Sequence, residues 1–208
     1  AATALVDITD GSFASTSATI AATALGDIGA KTSGAVTVTK AVKIVGATSD
    51  LTNTMVTSGS SVIAATALVD ITDGSFASTS ATIAATALSG IGGKTTGAVT
   101  LQNKVRIEGT QSEVTTALIG DSSVAANQTN TEARVTDAVN ASEGDAIGAV
   151  TKIQGIFAGG VSDSLSNLAS RGNTDSKLNT ITGDDSDVAI TISDGTFAST
   201  SATLSATD

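Results

Sequence analysis

The chain has 208 residues, with 20 acidic and 10 basic side chains, a net charge of −10 at pH 7, and no His, Cys, Trp, Tyr or Pro. This composition excludes disulfides, thiolate chemistry and any catalytic triad that needs histidine. The acidic balance argues against nucleic-acid binding, which needs a cationic surface, and the lack of a long apolar run predicts no membrane span.

The chain opens with a segment that it later repeats without change, since residues 1–25 return as residues 64–88. Related forms of one tetrapeptide, Ile-Thr-Asp-Gly in the first copy, begin at Ile8, Ile71, Val135 and Ile192. Repetition at a long period indicates an array and overrides a domain count based on length. We expect a single array over 1–208, with complete units at 8–70, 71–134 and 135–191 and partial units at 1–7 and 192–208.

Short strands are predicted wherever a β-branched or small residue alternates with one other position, because this period leaves one face of a strand buried. The pairs are Val6/Ile8, Val42/Ile44, Val69/Ile71, Val105/Ile107, Ala133/Val135, Thr151/Ile153 and Ile190/Ile192. In three of these pairs the isoleucine belongs to a Lys/Arg-Ile-x-Gly motif, at 43–46, 106–109 and 152–155.

Short amphipathic helices are predicted between the strands, where apolar residues recur four positions apart. These are Ile20, Ala24 and Ile28, then Leu51 and Met55, then Val114 and Leu118. Asp50 and Glu113 supply acidic residues for predicted first turns, and Gly34 and Gly97 follow hydroxyl residues where helices should end.

These patterns together predict a repeat protein with a right-handed parallel β-solenoid fold. This would be an α/β solenoid, with short helices or loops between the strands and about seven coils of roughly 30 residues. The predicted hand follows from the right-handedness of parallel crossover connections.

One acidic cluster is a candidate metal site. Asp184, Asp185 and Asp187 lie within four positions, and calcium is usually held by six to eight oxygens. These three residues are the candidate calcium ligands, although an acidic surface loop is favoured over a metal site, and we expect no other cofactor. Asp10, Asp73, Asp137 and Asp194 recur before Gly or Ala, and a turn is favoured over a metal ligand at these positions.

One phenylalanine per unit follows the tetrapeptide in three of its copies, as Phe13, Phe76 and Phe197. A single large side chain among small ones usually fills a gap in the core, although a row of exposed contacts is the alternative.

Several motifs resemble a known class of repeats. Ala85–Leu88 with Gly93–Thr100, the tetrapeptide with its following Ser/Thr-Phe-Ala-Ser-Thr, and Val161–Leu168 are similar to degenerate repeats of very large bacterial exoproteins, such as marine cyanobacterial and proteobacterial surface proteins. The resemblance implies an extracellular, cell-surface protein with a structural or adhesive role.

We therefore expect a structural component of an extracellular filament, sheath or surface array, and no enzyme. Its expected partner is a further copy in a homopolymer, or the continuation of a longer repeat array, with no nucleic acid and no membrane span. The first alternative is an adhesin stalk or calcium-stiffened ligand-binding region. A polysaccharide-acting β-helix enzyme is more remote, since its paired carboxylates would have to converge on a cleft while the recurring aspartates occur once per unit.

Overall fold

A computed structural model of the chain describes residues 3–9, 18–40, 42–57, 61–74, 81–168 and 177–194. Short strands and short helices alternate along this part of the chain. The strands are β1 (Val6–Ile8), β2 (Thr19–Ala21), β3 (Val36–Val38), β4 (Lys43–Gly46), β5 (Val62–Ile63), β6 (Leu68–Ile71), β7 (Thr82–Ala84), β8 (Val99–Leu101), β9 (Arg106–Gly109), β10 (Val124–Ala126), β11 (Thr131–Val135), β12 (Ile153–Phe157), β13 (Val161–Asp163) and β14 (Ile190–Ile192).

The helices lie between these strands and are two turns long or shorter. They are α1 (Ala22–Gly29), α2 (Thr48–Leu51), α3 (Ala85–Gly92), α4 (Gln111–Thr115), α5 (Ala141–Gly148), α6 (Leu165–Leu168) and α7 (Lys177–Asp184). Two of them continue into a turn of π-helix, α2 into Thr52–Val56 and α4 into Thr116–Gly120.

The strands pair in parallel and form four separate sheets in the described part of the chain. The orders are β1-β3-β5, β10-β8-β6-β4-β2, β12-β11-β9-β7 and β13-β14. Apart from β11-β12 and β13-β14, neighbouring strands in a sheet lie two strands apart in the chain, so one other strand intervenes in sequence. The register sets apolar side chains beside each other, as in Val69 opposite Val99 and Ile71 opposite Leu101.

The prediction of a single β-solenoid is wrong. The described residues form an α/β fold with parallel sheets of five, four, three and two strands and seven α-helices, and no continuous sheet runs through all the repeats. The alternating apolar pairs specify where strands form and which face is buried, but they do not specify partners. The Ala- and Gly-containing segments between them fold as helices, and the strands divide among separate sheets.

The predicted strands themselves are confirmed. Each of the seven alternating pairs contributes at least its second residue to a strand, in β1, β4, β6, β9, β11, β12 and β14. The first predicted helix is confirmed only from Ala22 onward, because Ile20 lies in β2 and pairs with Ile44 of β4. Asp50 and Glu113 lie in the first turns of their helices, as predicted.

The core is built mainly from small and medium-sized side chains. Val, Ile, Leu and Ala from sheets and helices form one buried cluster, in which Phe157 is the largest side chain. Because the side chains are small, backbones approach closely. A Cβ added at Gly34 or Gly97 would lie 2.3 Å from the Ala4 oxygen or 2.2 Å from the Ala67 oxygen.

A threonine two residues before each of these glycines contacts the same carbonyl oxygen that the glycine approaches. The Thr32 hydroxyl donates to the Ala4 carbonyl and the Thr95 hydroxyl to the Ala67 carbonyl. Each threonine oxygen also accepts a hydrogen bond from the amide of its glycine, at 2.9 Å. The Thr-x-Gly motif therefore joins residues 28 positions apart in the chain, beyond its predicted role at the end of a helix.

Candidate functional site

The recurring aspartates are the first candidate site, and the structure places Asp73 at the start of a helix that precedes it in the chain. One oxygen of Asp73, Oδ2, accepts hydrogen bonds from the Thr48 amide at 2.7 Å and from the Thr48 hydroxyl at 2.6 Å. The first amides of a helix have no partner within the helix, so a carboxylate there stabilises it. Asp73 caps α2 from 25 residues away.

Two other aspartates make the same kind of contact. Asp137 Oδ1 accepts from the Gln111 amide at the start of α4, at 2.6 Å, and Asp163 Oδ2 accepts from the Ala141 amide at the start of α5, at 3.1 Å. The pKa of Asp163 is lowered by hydrogen bonds from the Asn167 side chain and then from the Ser164 and Ala141 amides. These hydrogen bonds favour the charged carboxylate.

At Asp73, residues 72–74 follow β6 without regular secondary structure, and the residues that would complete the predicted turn lie outside the described part of the chain. Asp194 lies in a bend after β14, and Asp10 lies outside the described residues. The predicted phenylalanine positions, Phe13, Phe76 and Phe197, also lie outside them.

The predicted calcium ligands lie at the edge of the four-stranded sheet. Asp184 Oδ2 accepts from the Gly155 amide of β12 at 2.8 Å, and Asp185 Oδ2 accepts from the Phe157 amide at 2.7 Å. The Gln154 side chain donates to the main-chain oxygen of Asp184 at 2.9 Å. Two carboxylates thus satisfy the outward-facing amides of an edge strand, which would otherwise be open to pairing with another strand.

Both carboxyls are held in surroundings that disfavour their charge. Burial raises the pKa of Asp184, the nearby Asp185 charge adds to this, and the Gly155 amide opposes it. Burial also raises the pKa of Asp185, which is 8% exposed, with Asp187 adding to the shift and the Phe157 amide opposing it.

The third predicted ligand, Asp187, has an exposed side chain. Among the described residues, no group of three or more His, Cys, Asp or Glu side chains is arranged to hold a metal ion. The calcium site stays a prediction, and the structure gives another role to two of its three residues.

Ion pairs also join neighbouring strands on their exposed side. Lys43 of β4 lies 2.8 Å from Asp70 of β6, and Arg106 of β9 lies 2.9 Å from Glu132 of β11. A third pair joins Arg134 and Glu108 at 3.3 Å, with the charges reversed between the same two strands. These pairs favour the observed strand partners over a shifted register.

Two shallow grooves lie between consecutive helices, one within each of the first two complete repeat units. One, of about 250 Å³, lies between α1 and α2 with its π-turn, and the other, of about 500 Å³, lies between α3 and α4 with its π-turn. Asp27 and Asp50 line the first groove, and Asp121 lines the second. Asp121 is already engaged in a local contact, since its Oδ1 accepts from the Ser123 amide and hydroxyl.

The chain was compared with protein-family models, with curated proteins and with solved structures. None of the three comparisons finds a match. The resemblance to bacterial exoprotein repeats therefore stays a prediction. In the described part of the chain, no helix has the length and apolar character needed to cross a lipid bilayer.

The sequence pattern identified Asp73, Asp137, Asp184 and Asp185 but not what they contact, and it did not identify Asp163. The repeat could have predicted this role, because an aspartate that recurs once per unit can cap one helix per unit. The missing information was the distance in sequence between each carboxylate and its helix, which depends on how the strands pair.

Proposed function

We propose that this chain is a structural component of an extracellular assembly, a filament, sheath or surface array that forms by association of its copies. The observation that supports the proposal most is that the repeats bind one another through main-chain amides. Asp73 and Asp137 each cap a helix of the preceding repeat unit, whereas Asp163 caps α5 of its own unit.

The strand edges and the ion pairs between strands also support the proposed assembly. Parallel strands held by side-chain pairs such as Lys43–Asp70 form a surface that another strand of suitable sequence can extend. The extracellular part of the proposal rests on the resemblance of the motifs to bacterial surface repeats. We propose a mechanical role, with no catalytic activity.

Sedimentation velocity over a wide concentration range, together with negative-stain electron microscopy, tests this proposal. We expect the purified chain to form larger species as its concentration rises, and elongated particles to be visible. A chain that remains a monomer at every concentration would overturn the proposal, and uniform short rods would instead favour an adhesin stalk.

A further inference from the structure

One face of the four-stranded sheet carries alternating charges on its two central strands, β9 and β11. Arg106 of β9 lies opposite Glu132 of β11, and two positions further along Glu108 lies opposite Arg134. Both form ion pairs, at 2.9 Å and 3.3 Å. All four side chains are partly exposed, from 13% for Glu132 to 37% for Glu108. Positive and negative charges therefore alternate along each strand and between the strands, and this surface is named the charged face.

The opposite face of the same strands packs into the core. Ile107 and Ala133 lie between the charged positions and are fully buried. Successive side chains of a strand point to opposite faces, so the charged side chains lie on the face away from this core. Both faces of a parallel sheet are usually covered. The charged face is therefore a surface that a partner can cover.

The two outer strands make one side of the charged face lower than the other. β7, beside β9, contributes Thr82 and Ala84, and both are exposed. β12, beside β11, contributes Gln154 and Ile156, and both are half-buried. The Gln154 side chain donates to the Asp184 oxygen, so Ile156 supplies the bulk on this side. Small residues thus border the charges on one side, and a large apolar residue borders them on the other.

We propose that the charged face binds the charged face of a second copy, related by a twofold axis parallel to the strands. The inference rests on the proposed function and names a surface for the proposed association. This axis places Arg106 opposite Glu132 of the second copy, and Glu108 opposite Arg134 of the second copy, so that each charge meets its opposite. The axis also places the small residues of β7 against the larger residues of β12 in the second copy.

A second orientation also pairs the charges but fits the shape of the surface less well. A twofold axis perpendicular to the strands places β7 against β7 and β12 against β12. The small residues of β7 then leave a gap on one side, while Ile156 of each copy keeps the faces apart on the other. Specific interfaces are packed as closely as protein interiors. Shape and charge together therefore select the axis parallel to the strands.

This contact has a consequence for the form of the assembly. Because both copies use the same surface, the contact is isologous and closes at two copies. Strands extend a sheet within its plane, whereas this contact lies on the face of the sheet. It therefore joins two copies side by side, and it adds width to an array that grows in length through another contact.

Exchange of the charges within one ion pair tests the contact. The double variant Arg106→Glu, Glu132→Arg keeps opposite charges opposite each other about the proposed axis, so it should associate with itself as the unmodified chain does. Between the variant and the unmodified chain, like charges meet at both positions, and we expect mixed association to be about tenfold weaker or more. Fluorescence-detected sedimentation velocity, with labelled variant in an excess of unmodified chain, measures mixed association.

The matched control exchanges an ion pair on the five-stranded sheet. The double variant Lys43→Asp, Asp70→Lys makes the same kind of charge exchange away from the charged face. It should associate with the unmodified chain as readily as the unmodified chain does with itself. Circular dichroism of both double variants should match that of the unmodified chain.

A larger side chain on the low side gives a second test that leaves the charges in place. Ala84→Phe fills the space that the second copy's β12 occupies in the proposed contact, and association should become about tenfold weaker or more. Ala125→Phe adds the same side chain at an exposed position of β10 in the five-stranded sheet and should have no effect.

The possible outcomes separate this inference from the proposed function. Mixed association as strong as that of the unmodified chain, or association unaffected by Ala84→Phe, would overturn the inference alone. Weaker association of the Arg106→Glu, Glu132→Arg variant with itself would overturn it too, because that result requires another orientation. A chain that never associates would overturn the proposed function as well.

Discussion

Asp73, Asp137 and Asp163 each accept a hydrogen bond from a main-chain amide at the start of a helix. The helices differ in how much they depend on this hydrogen bond. The residue before α2 is Ala47, which has no side-chain acceptor, whereas α4 and α5 begin with their own capping boxes, Thr110 with Glu113 and Asn140 with Glu143. Asp73 therefore supplies a cap that α2 cannot make locally.

Replacement of Asp73 tests this dependence. Asp73→Ala leaves the Thr48 amide and hydroxyl without their acceptor, and we expect the free energy of unfolding to fall by about 1–2 kcal/mol. Asp73→Asn keeps an acceptor oxygen and should lose less. Asp137→Ala should also cost less, because α4 retains its capping box. Urea denaturation of the three variants measures the differences, and an equal loss for Asp73→Ala and Asp137→Ala would contradict the assignment.

At the scale of secondary-structure elements, the role of Asp184 and Asp185 follows from their position at the edge of a sheet. Within the described part of the chain, β12 has a strand on one side and the Asp184 and Asp185 carboxylates on the other. A strand edge must be paired, covered or charged to prevent unintended pairing. Here α7 ends at Asp184 and brings two acceptors to two amides, so a sequence that suggests a metal site serves as an edge cover.

This arrangement has a definite pH dependence. The pKa of both carboxyls is raised above 3.8, so the folded chain holds these protons more tightly than the unfolded chain. The resulting stabilisation is fully present below about pH 3.8 and is lost as the pH rises through the raised folded-state pKa. We expect Asp185→Asn, which keeps an acceptor for the Phe157 amide, to lose less stability than the unmodified chain as the pH rises above 3.8.

Denaturation at a series of pH values measures this difference. Asp163 has a lowered pKa and contributes the opposite trend, because its stabilisation is present above pH 3.8 and lost as the pH falls through its lowered folded-state pKa. That contribution is common to both proteins and cancels in the comparison. Parallel pH profiles for the two proteins would argue against a raised pKa at Asp185.

At the scale of the whole molecule, identical sequences differ in burial because they have different neighbours. Val69 and Ile71 are at most 1% exposed, while Val6 and Ile8, their counterparts in the first copy, are only partly buried. Local sequence cannot cause this difference, since it is the same in both segments. One difference in surroundings is β4, which pairs with β6 and has no counterpart beside β1 in the described residues.

Hydrogen exchange can measure this effect with a built-in control. The amides of residues 68–71 and 5–8 have the same chemical exchange rates because the sequences are identical. At concentrations where the chain is monomeric, we expect residue-resolved NMR to show exchange at least about tenfold slower at 68–71. Equal rates in the two segments would mean that β4 gives β6 no protection.

The sequence by itself determined the positions of seven of the fourteen described strands and the acidic first turns of two helices. Alternating apolar pairs define a buried face, and a carboxylate near a helix start is favourable in any fold, so both features depend on residues close together in the chain. Ile20 shows the limit of this reasoning, because its spacing from Ala24 and Ile28 predicts a helix, whereas it lies in a strand and pairs with Ile44.

The tertiary structure alone decided the sheet to which each strand belongs, the helix that Asp73 caps and the use of Asp184 and Asp185 at a strand edge. These contacts join residues 25 to 29 positions apart. A repeated pattern offers several equivalent partners at such distances. The choice among them depends on backbone pairing and side-chain packing across the whole molecule, which no local pattern contains.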